Sequence, residues 1–239
     1  MNQTNTATAE LLARLKQQAA ERAVEWIESG MVVGLGSGST SLFAVKRLGQ
    51  LLKQGLLRDI VAVPTSLAVE AEARRLQIPL APLDNPPLVD LTIDGADEVD
   101  PQLNLIKGRG GALVREKIVA ELSRREVIVV DETKLSSQLG TRSSVPVEVI
   151  PFAWQWHRRN LEELGARVVL RQTLAGPAYQ SDQQNFILDC EFGPIEQPAQ
   201  LAARLAAHAG IVGHGLFLGL ATDVIVAAPT GLRHLTRAR

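Results

Sequence analysis

The chain has 239 residues, 46% of them hydrophobic, and 25 Lys+Arg against 26 Asp+Glu leave a net charge of −1. That is apolar material for one large domain, or one domain carrying a smaller one, at roughly 150 residues each; the near-neutral charge argues against nucleic acid, which is held mainly by cations paired with phosphates. The lone Cys190 excludes an internal disulfide, and with neither a secretory leader nor an apolar run of the ~18 residues of a membrane span, the expectation is a cytoplasmic protein with no membrane partner.

The first predicted element is a helix with Leu12, Leu15, Ala19, Ala23 and Trp26 along one face, ended by Gly30. A strand at 31–33 runs into the glycine-rich turn GLGSGST at 34–40, and a helix follows over 42–52. Strand IVAVP (60–64), a helix over 66–76, a short strand at 78–80 and strand VDLTIDG (89–95) come next. A second glycine loop, a helix over 112–123 and strand VIVVD (127–131) complete this half. Short β-branched strands alternating with helices predict a parallel sheet with crossover helices.

After Pro146 the pattern changes to strand–helix–strand–strand–helix–strand, the run of a ferredoxin-like module. The apolar ATDVIVAAP (221–229) is expected to rejoin the main sheet. The fold class is therefore α/β: a doubly wound, mostly parallel sheet from residues 1–144 and 220–239, with a small ferredoxin-like α+β lid domain inserted at 145–219.

Glycines gather at 34, 36 and 38, at 95, and at 108, 110 and 111, each group at or just past an expected strand. In open α/β sheets ligands bind outside the carboxyl ends of the strands. The glycines of GLGSGST let backbone N–H groups reach an anion at a helix N-terminus, and Ser37, Ser39 and Thr40 add hydroxyls. It is not a P-loop, because no Lys follows its glycines, and the third glycine of a dinucleotide fingerprint would be Ser39. A phosphate cradle is preferred to a tight turn that holds nothing.

In IDGADEVD (93–100), Asp94 and Asp97 flank a Gly-Ala turn. Paired carboxylates suit proton handling or sugar hydroxyls, the plainer reading being an acidic cap; Glu98 and Asp100 read as solvated acids. Lys107 stands out in KGRGGALVREK (107–117) because the chain has six Lys against nineteen Arg. A compact cation there can bind substrate or stabilise an enediolate oxygen, and Arg109 reads as a rim or structural cation. Glu116 has Ala112, Leu113, Val119 and Ala120 at its helical neighbour positions, which desolvate the carboxylate and suit a general base. In isolation an exposed Glu between Arg115 and Lys117 is the plainer reading, and the helix's start at the Lys107 loop reverses it. Lys134 reads equally as a phosphate cation or a surface residue. His157, His208, His214 and His234 share no metal-ligand spacing and read as structural.

Taken in order, VGLGSGST (33–40), TIDGADEVD (92–100), KGRGGALVREK (107–117), DETK (131–134), PVEVIPFA (146–153) and HGLFLGLATDVIVA (214–227) resemble the type A ribose-5-phosphate isomerases. The resemblance implies an α/β core with an inserted lid, a homodimer, and metal-independent interconversion of ribose 5-phosphate and ribulose 5-phosphate without a cofactor. It implies that a small sugar phosphate is bound by Ser37, Gly38, Ser39 and Thr40, by Asp94, Gly95, Ala96 and Asp97, by Lys107, Gly108, Arg109 and Gly110, and by Lys134. Glu116 falls on the family's proton acceptor; Asp94 or Asp97 then assists ring opening, and Lys107 stabilises the developing oxyanion. Ser37 stands where many members have Thr, and Arg109 where others have Gly. Lys16 matches a helix lysine of some members only loosely and is left out.

Two other classes compete. In an effector-binding module without turnover, Glu116 lacks a purpose. A CoA-transferring enzyme with a glutamate nucleophile calls for a CoA-sized groove with cationic contacts.

Overall fold

The computed structural model describes residues 3–82 and 84–237. In chain order its elements are α1 (Gln3–Val24), β1 (Val32–Leu35), α2 (Ser41–Lys53), β2 (Val61–Pro64), α3 (Leu67–Arg75), β3 (Leu91–Asp94), β4 (Glu98–Val99), β5 (Leu105–Ile106), α4 (Leu113–Leu122) and β6 (Glu126–Asp131). A 3-10 turn at Glu132–Lys134 follows. Then come β7 (Val145–Val149), α5 (Trp154–Glu163), β8 (Arg167–Leu170), β9 (Phe186–Glu191), α6 (Pro198–Ala206), β10 (Ile211–His214), β11 (Leu216–Phe217), β12 (Asp223–Ala228) and β13 (Gly231–Thr236). The chain divides into two compact units, the first comprising residues up to Gly95, Val119–Lys134 and Ala221 onward, the second Ala96–Ile118 and Leu135–Leu220.

In the first unit six strands form one sheet in the order β13-β12-β6-β3-β1-β2, parallel except for the β12–β13 hairpin. Every residue of β3, β6 and β12 is buried, as expected of strands covered on both faces. α1 lays Leu15, Ala19, Ala20 and Ala23 on β6 and β12, the small alanines letting the helix close on the sheet. The helix stops at Val24, so Gly30 does not cap it; the Gly30 N–H reaches the Arg58 carbonyl at 3.0 Å in a later turn. The expected strand at 78–80 shrinks to one bridge between Leu80 and Ala62. β13, which the exposed GLRHLT pattern did not announce, adds an edge strand.

Beyond α1, Trp26 lies under the Arg125 guanidinium at 4.1 Å, and Arg125 grips Asp223 through hydrogen bonds of 2.8 and 2.9 Å. Burial alone raises the Asp223 pKa, but hydrogen bonds from Arg125, Thr222 and His234 outweigh it and bring the carboxyl down to about 2. A depressed carboxyl stabilises the fold above its unfolded pKa and loses that contribution as pH falls through the folded value. The group is therefore expected to contribute on the order of 1–2 kcal/mol at neutral pH. Melting curves of wild type and Asp223→Asn should run parallel down to about pH 5 and converge by about pH 2; a gap that widens in acid contradicts the account.

The second unit holds the predicted β-α-β-β-α-β run as β7-α5-β8-β9-α6-β10, with an antiparallel sheet in the order β10-β7-β9-β8. Val145, Val147, Val149, Val168, Leu188 and Cys190 point to one face and form a core with Leu161 of α5 and Leu205 of α6. The alternate residues, among them Glu148, Arg171 and Asp189, point to the other. The expected boundary at 145–219 differs from this division, because Ile106, Leu139 and Leu216 join the same core and the Lys107 N–H bonds the Gly215 carbonyl at 2.9 Å. β4, β5 and β11 form a small antiparallel sheet of their own.

Glu98 and Asp100 are not solvated acids. Glu98 is 0% exposed and accepts the N–H groups of Gly140, Thr141, Arg142 and Ser143 at 3.0–3.3 Å. Asp100 is also buried and accepts from the backbones of Gln102 and Asn104 at 2.9 and 2.8 Å. Four donors replace the hydration that burial takes from the Glu98 carboxylate, so it organises the 140–143 loop.

Candidate active site

In the first unit, β1, β3 and β6 are neighbours, so their carboxyl-terminal loops lie side by side: residues 36–40, the turn starting at Asp94, and the 3-10 turn ending at Lys134. The order around β1, with β2 on one side and β3 on the other, makes this edge the topological switch point where open α/β sheets bind ligands. β1 approaches β3 so closely that a Cβ on Gly36 would lie 2.3 Å from an Asp94 carboxylate oxygen; only glycine permits it. Asp94 itself is 1% exposed and accepts from the Ser41 hydroxyl at 3.2 Å and the Gly95 N–H at 2.7 Å.

Ser41 also donates to the Ser37 carbonyl at 2.9 Å, and the Ser37 hydroxyl meets that of Thr65 at 2.7 Å, which fixes the loop that leads into α2. Gly38 and Ser39 are exposed at its tip, with Thr40 half-buried. The Lys16 ammonium donates to the Ser39 hydroxyl at 3.2 Å. Lys16, left out of the sequence-based site, directly follows Leu15 on α1, and nothing local shows that this part of the helix faces Ser39. Lys134 is half-buried on the turn after β6, whose start is held by the Asp131 carboxylate accepting the Thr133 N–H at 3.0 Å.

Asp97, Lys107–Gly110 and Glu116 belong to the second unit, as does Ala96. The β4–β5 pairing brings the two ends of 97–107 together: the Asp97 N–H bonds the Ile106 carbonyl at 2.8 Å, and the Asp97 carboxylate accepts the Arg109 N–H at 2.9 Å. Lys107 and Glu116, read separately from the sequence, form an ion pair at 3.5 Å with side chains only 3% and 5% exposed. All four apolar neighbour positions of Glu116 are buried. Arg109 is exposed.

Two residues behind the pair were not singled out by sequence. The Phe217 ring lies 5.5 Å from the Lys107 ammonium and 4.8 Å from that of Lys117. Lys117 is held by the carbonyls of His214 and Leu216 at 2.7 and 3.0 Å. Burial, reinforced by Lys117, brings the His214 pKa down to about 4, so this imidazole is neutral at physiological pH. Among the described residues no three His, Cys, Asp or Glu side chains gather in a way that could hold a metal ion, and no helix is long and apolar enough to cross a membrane.

Within the second unit, a carboxylate and an ammonium both withdrawn from water form a pair of the kind that can take up a proton and stabilise a negative oxygen. The profile of ribose 5-phosphate isomerase A (phosphoriboisomerase A) matches residues 61–231. The chain is 53% identical to ribose-5-phosphate isomerase A of Chloroflexus aurantiacus over 99% of its own length and 96% of the relative's. Against the enzyme of Desulfatibacillum aliphaticivorans the identity is 52% over 94% and 97%. Among solved structures, a D-ribose-5-phosphate isomerase in complex with phospho-erythronic acid superposes with a TM-score of 0.92 at 40% identity, covering 95% of this chain and 99% of that one. The enzyme of Plasmodium falciparum gives 0.91 at 37%, covering 95% and 100%. The chain belongs to the ribose 5-phosphate isomerase A family, and its class of reaction is pentose phosphate isomerisation.

Proposed function

We propose that the protein interconverts D-ribose 5-phosphate and D-ribulose 5-phosphate through a cis-enediolate, with Glu116 carrying the proton between C2 and C1. The observation that carries this reading is the buried Lys107–Glu116 pair at 3.5 Å. In the open-chain aldose, Glu116 takes the C2 proton, the electron pair forms the C1=C2 double bond, and the carbonyl oxygen O1 takes the negative charge. Lys107 stabilises that charge. The hydroxyl proton on O2 passes to O1, C2 becomes the ketone, and Glu116 returns its proton to C1. No electron leaves the sugar, so neither a redox cofactor nor a second substrate enters the balance. Asp94 or Asp97 assists ring opening as proton acceptor for a sugar hydroxyl.

The 36–40 loop, Lys134 and Lys16 receive the 5-phosphate, and Gly95, Ala96, Gly108, Arg109 and Gly110 line the sugar. Binding the phosphate far from the reacting carbons holds those carbons in place. Homodimer assembly and a cytoplasmic location are part of the same reading. The test is conversion of ribose 5-phosphate to ribulose 5-phosphate by the purified protein in excess EDTA. Sustained turnover supports a metal-free isomerase, and loss of turnover that added metal restores overturns that part. Lys16→Ala, which removes a cation 3.2 Å from Ser39, is expected to raise KM about tenfold with kcat changed little, the signature of lost phosphate binding. A kcat defect at unchanged KM removes Lys16 from the phosphate site.

A further inference from the structure

Outside the residues assigned above, the polar face of the β10-β7-β9-β8 sheet carries a side chain that reaches the 107–110 loop. Arg171, just past β8, donates from Nη1 to the carbonyls of Gly108 and Arg109 at 2.9 and 3.0 Å. Its remaining donors grip Asp189 of β9, Nε to Oδ2 at 2.9 Å and Nη2 to Oδ1 at 2.5 Å. The guanidinium is thus fixed by a bidentate carboxylate on a strand, and its free edge is spent on two consecutive peptides of the loop.

In a trans peptide the C=O and N–H point opposite ways. Pinning the Gly108 carbonyl therefore aims the Arg109 N–H away from Arg171, where it meets the Asp97 carboxylate at 2.9 Å. One peptide plane is held at both ends, by Arg171 and by Asp97, one of the two carboxylates proposed for ring opening. The next plane is held through the Arg109 carbonyl. Tyr179 closes the same loop from the segment after Arg171. Its hydroxyl is 3.4 Å from the Gly110 carbonyl, and a Cβ on Gly111, at φ +85°, would lie 2.3 Å from that hydroxyl.

We infer that Arg171, braced by Asp189, is the positioning residue of the substrate loop: it touches no reacting atom, and it sets the peptide planes that carry Lys107, the Arg109 N–H and Asp97 into register. This rests on the isomerase reading of that loop. A cavity of about 490 Å³ opens beside the clamp, with Arg171, Asp189, Asp97, Arg109, Arg142 and Ser143 on its walls. A small planar cation can therefore enter the place that a truncated Arg171 leaves.

The experiment compares wild type, Arg171→Ala and Arg171→Lys for kcat, KM and melting temperature, with and without guanidinium at non-denaturing millimolar concentration and urea as the control solute. Because misplacing a catalytic group by about 1 Å can cost 10²-fold, Arg171→Ala is expected to lose about 10–100-fold in kcat with KM within about threefold. Guanidinium, and not urea, should restore most of that loss. Arg171→Lys keeps the charge but cannot span two carbonyls and both carboxylate oxygens, so it should be intermediate and unresponsive to guanidinium. A kcat within about twofold of wild type in a folded Arg171→Ala, or a loss that guanidinium leaves untouched, overturns the inference. If Arg171→Ala does not fold, Arg171→Lys decides, and wild-type kcat there overturns it. Wild-type turnover is measured first; its absence overturns the isomerase reading and this inference with it.

Discussion

Glu116→Gln is expected to lose turnover by about 10²–10⁴-fold or more while still binding ribose 5-phosphate. The amide keeps the volume and can accept a hydrogen bond from Lys107, so the site stays filled and only the proton acceptor is gone. Two readouts check this. Steady-state turnover should collapse at nearly constant KM, because the lost interaction belongs to the transition state. Exchange of deuterium from C2 of labelled ribose 5-phosphate into water should stop as well. Exchange that continues at the wild-type rate moves the base to Asp94 or Asp97.

Lys107→Met is expected to act on rate and stability together. Removing one preorganised oxyanion partner costs about 10²–10³-fold in kcat. It also leaves the Glu116 carboxylate, 5% exposed, as a buried charge without its ammonium. Breaking a buried pair by deleting one partner costs roughly 3–5 kcal/mol, which for a chain of this size lowers Tm by roughly 6–20 °C. The double variant Lys107→Met/Glu116→Gln separates the two effects. It should regain much of the lost Tm, because the buried carboxylate is removed together with its ammonium, and none of the lost turnover. A single variant as stable as wild type shows that water reaches Glu116 and that the pair is not desolvated.

The alternation of strands and helices, the β-α-β-β-α-β run and the return of ATDVIVAAP to the main sheet were all legible in the sequence, because each is written in a local period of side chains. The glycine loops were legible for the same reason, being turn chemistry at strand ends. Two errors have local causes. The leucine-alanine stripe was extended through Trp26, although the helix stops at Val24. Glu98 and Asp100 read locally as solvated acids, although the four N–H groups that hold Glu98 lie more than forty residues along the chain.

By itself the sequence determined the α/β class, the glycine loops, the acid turn, the Lys107 loop and the helix of Glu116. Periodicity and turn preference act over a few residues and need no distant partner. Only the tertiary structure decided that Lys107 and Glu116 are 3.5 Å apart, that Lys16 reaches Ser39, and that Phe217 lies against the ammonium of Lys107. It also decided that Arg171 holds the carbonyls of the loop it does not belong to. These contacts join residues brought together by strand pairing and sheet packing. The free energy that selects them is the burial of whole faces, which no single segment of the chain records.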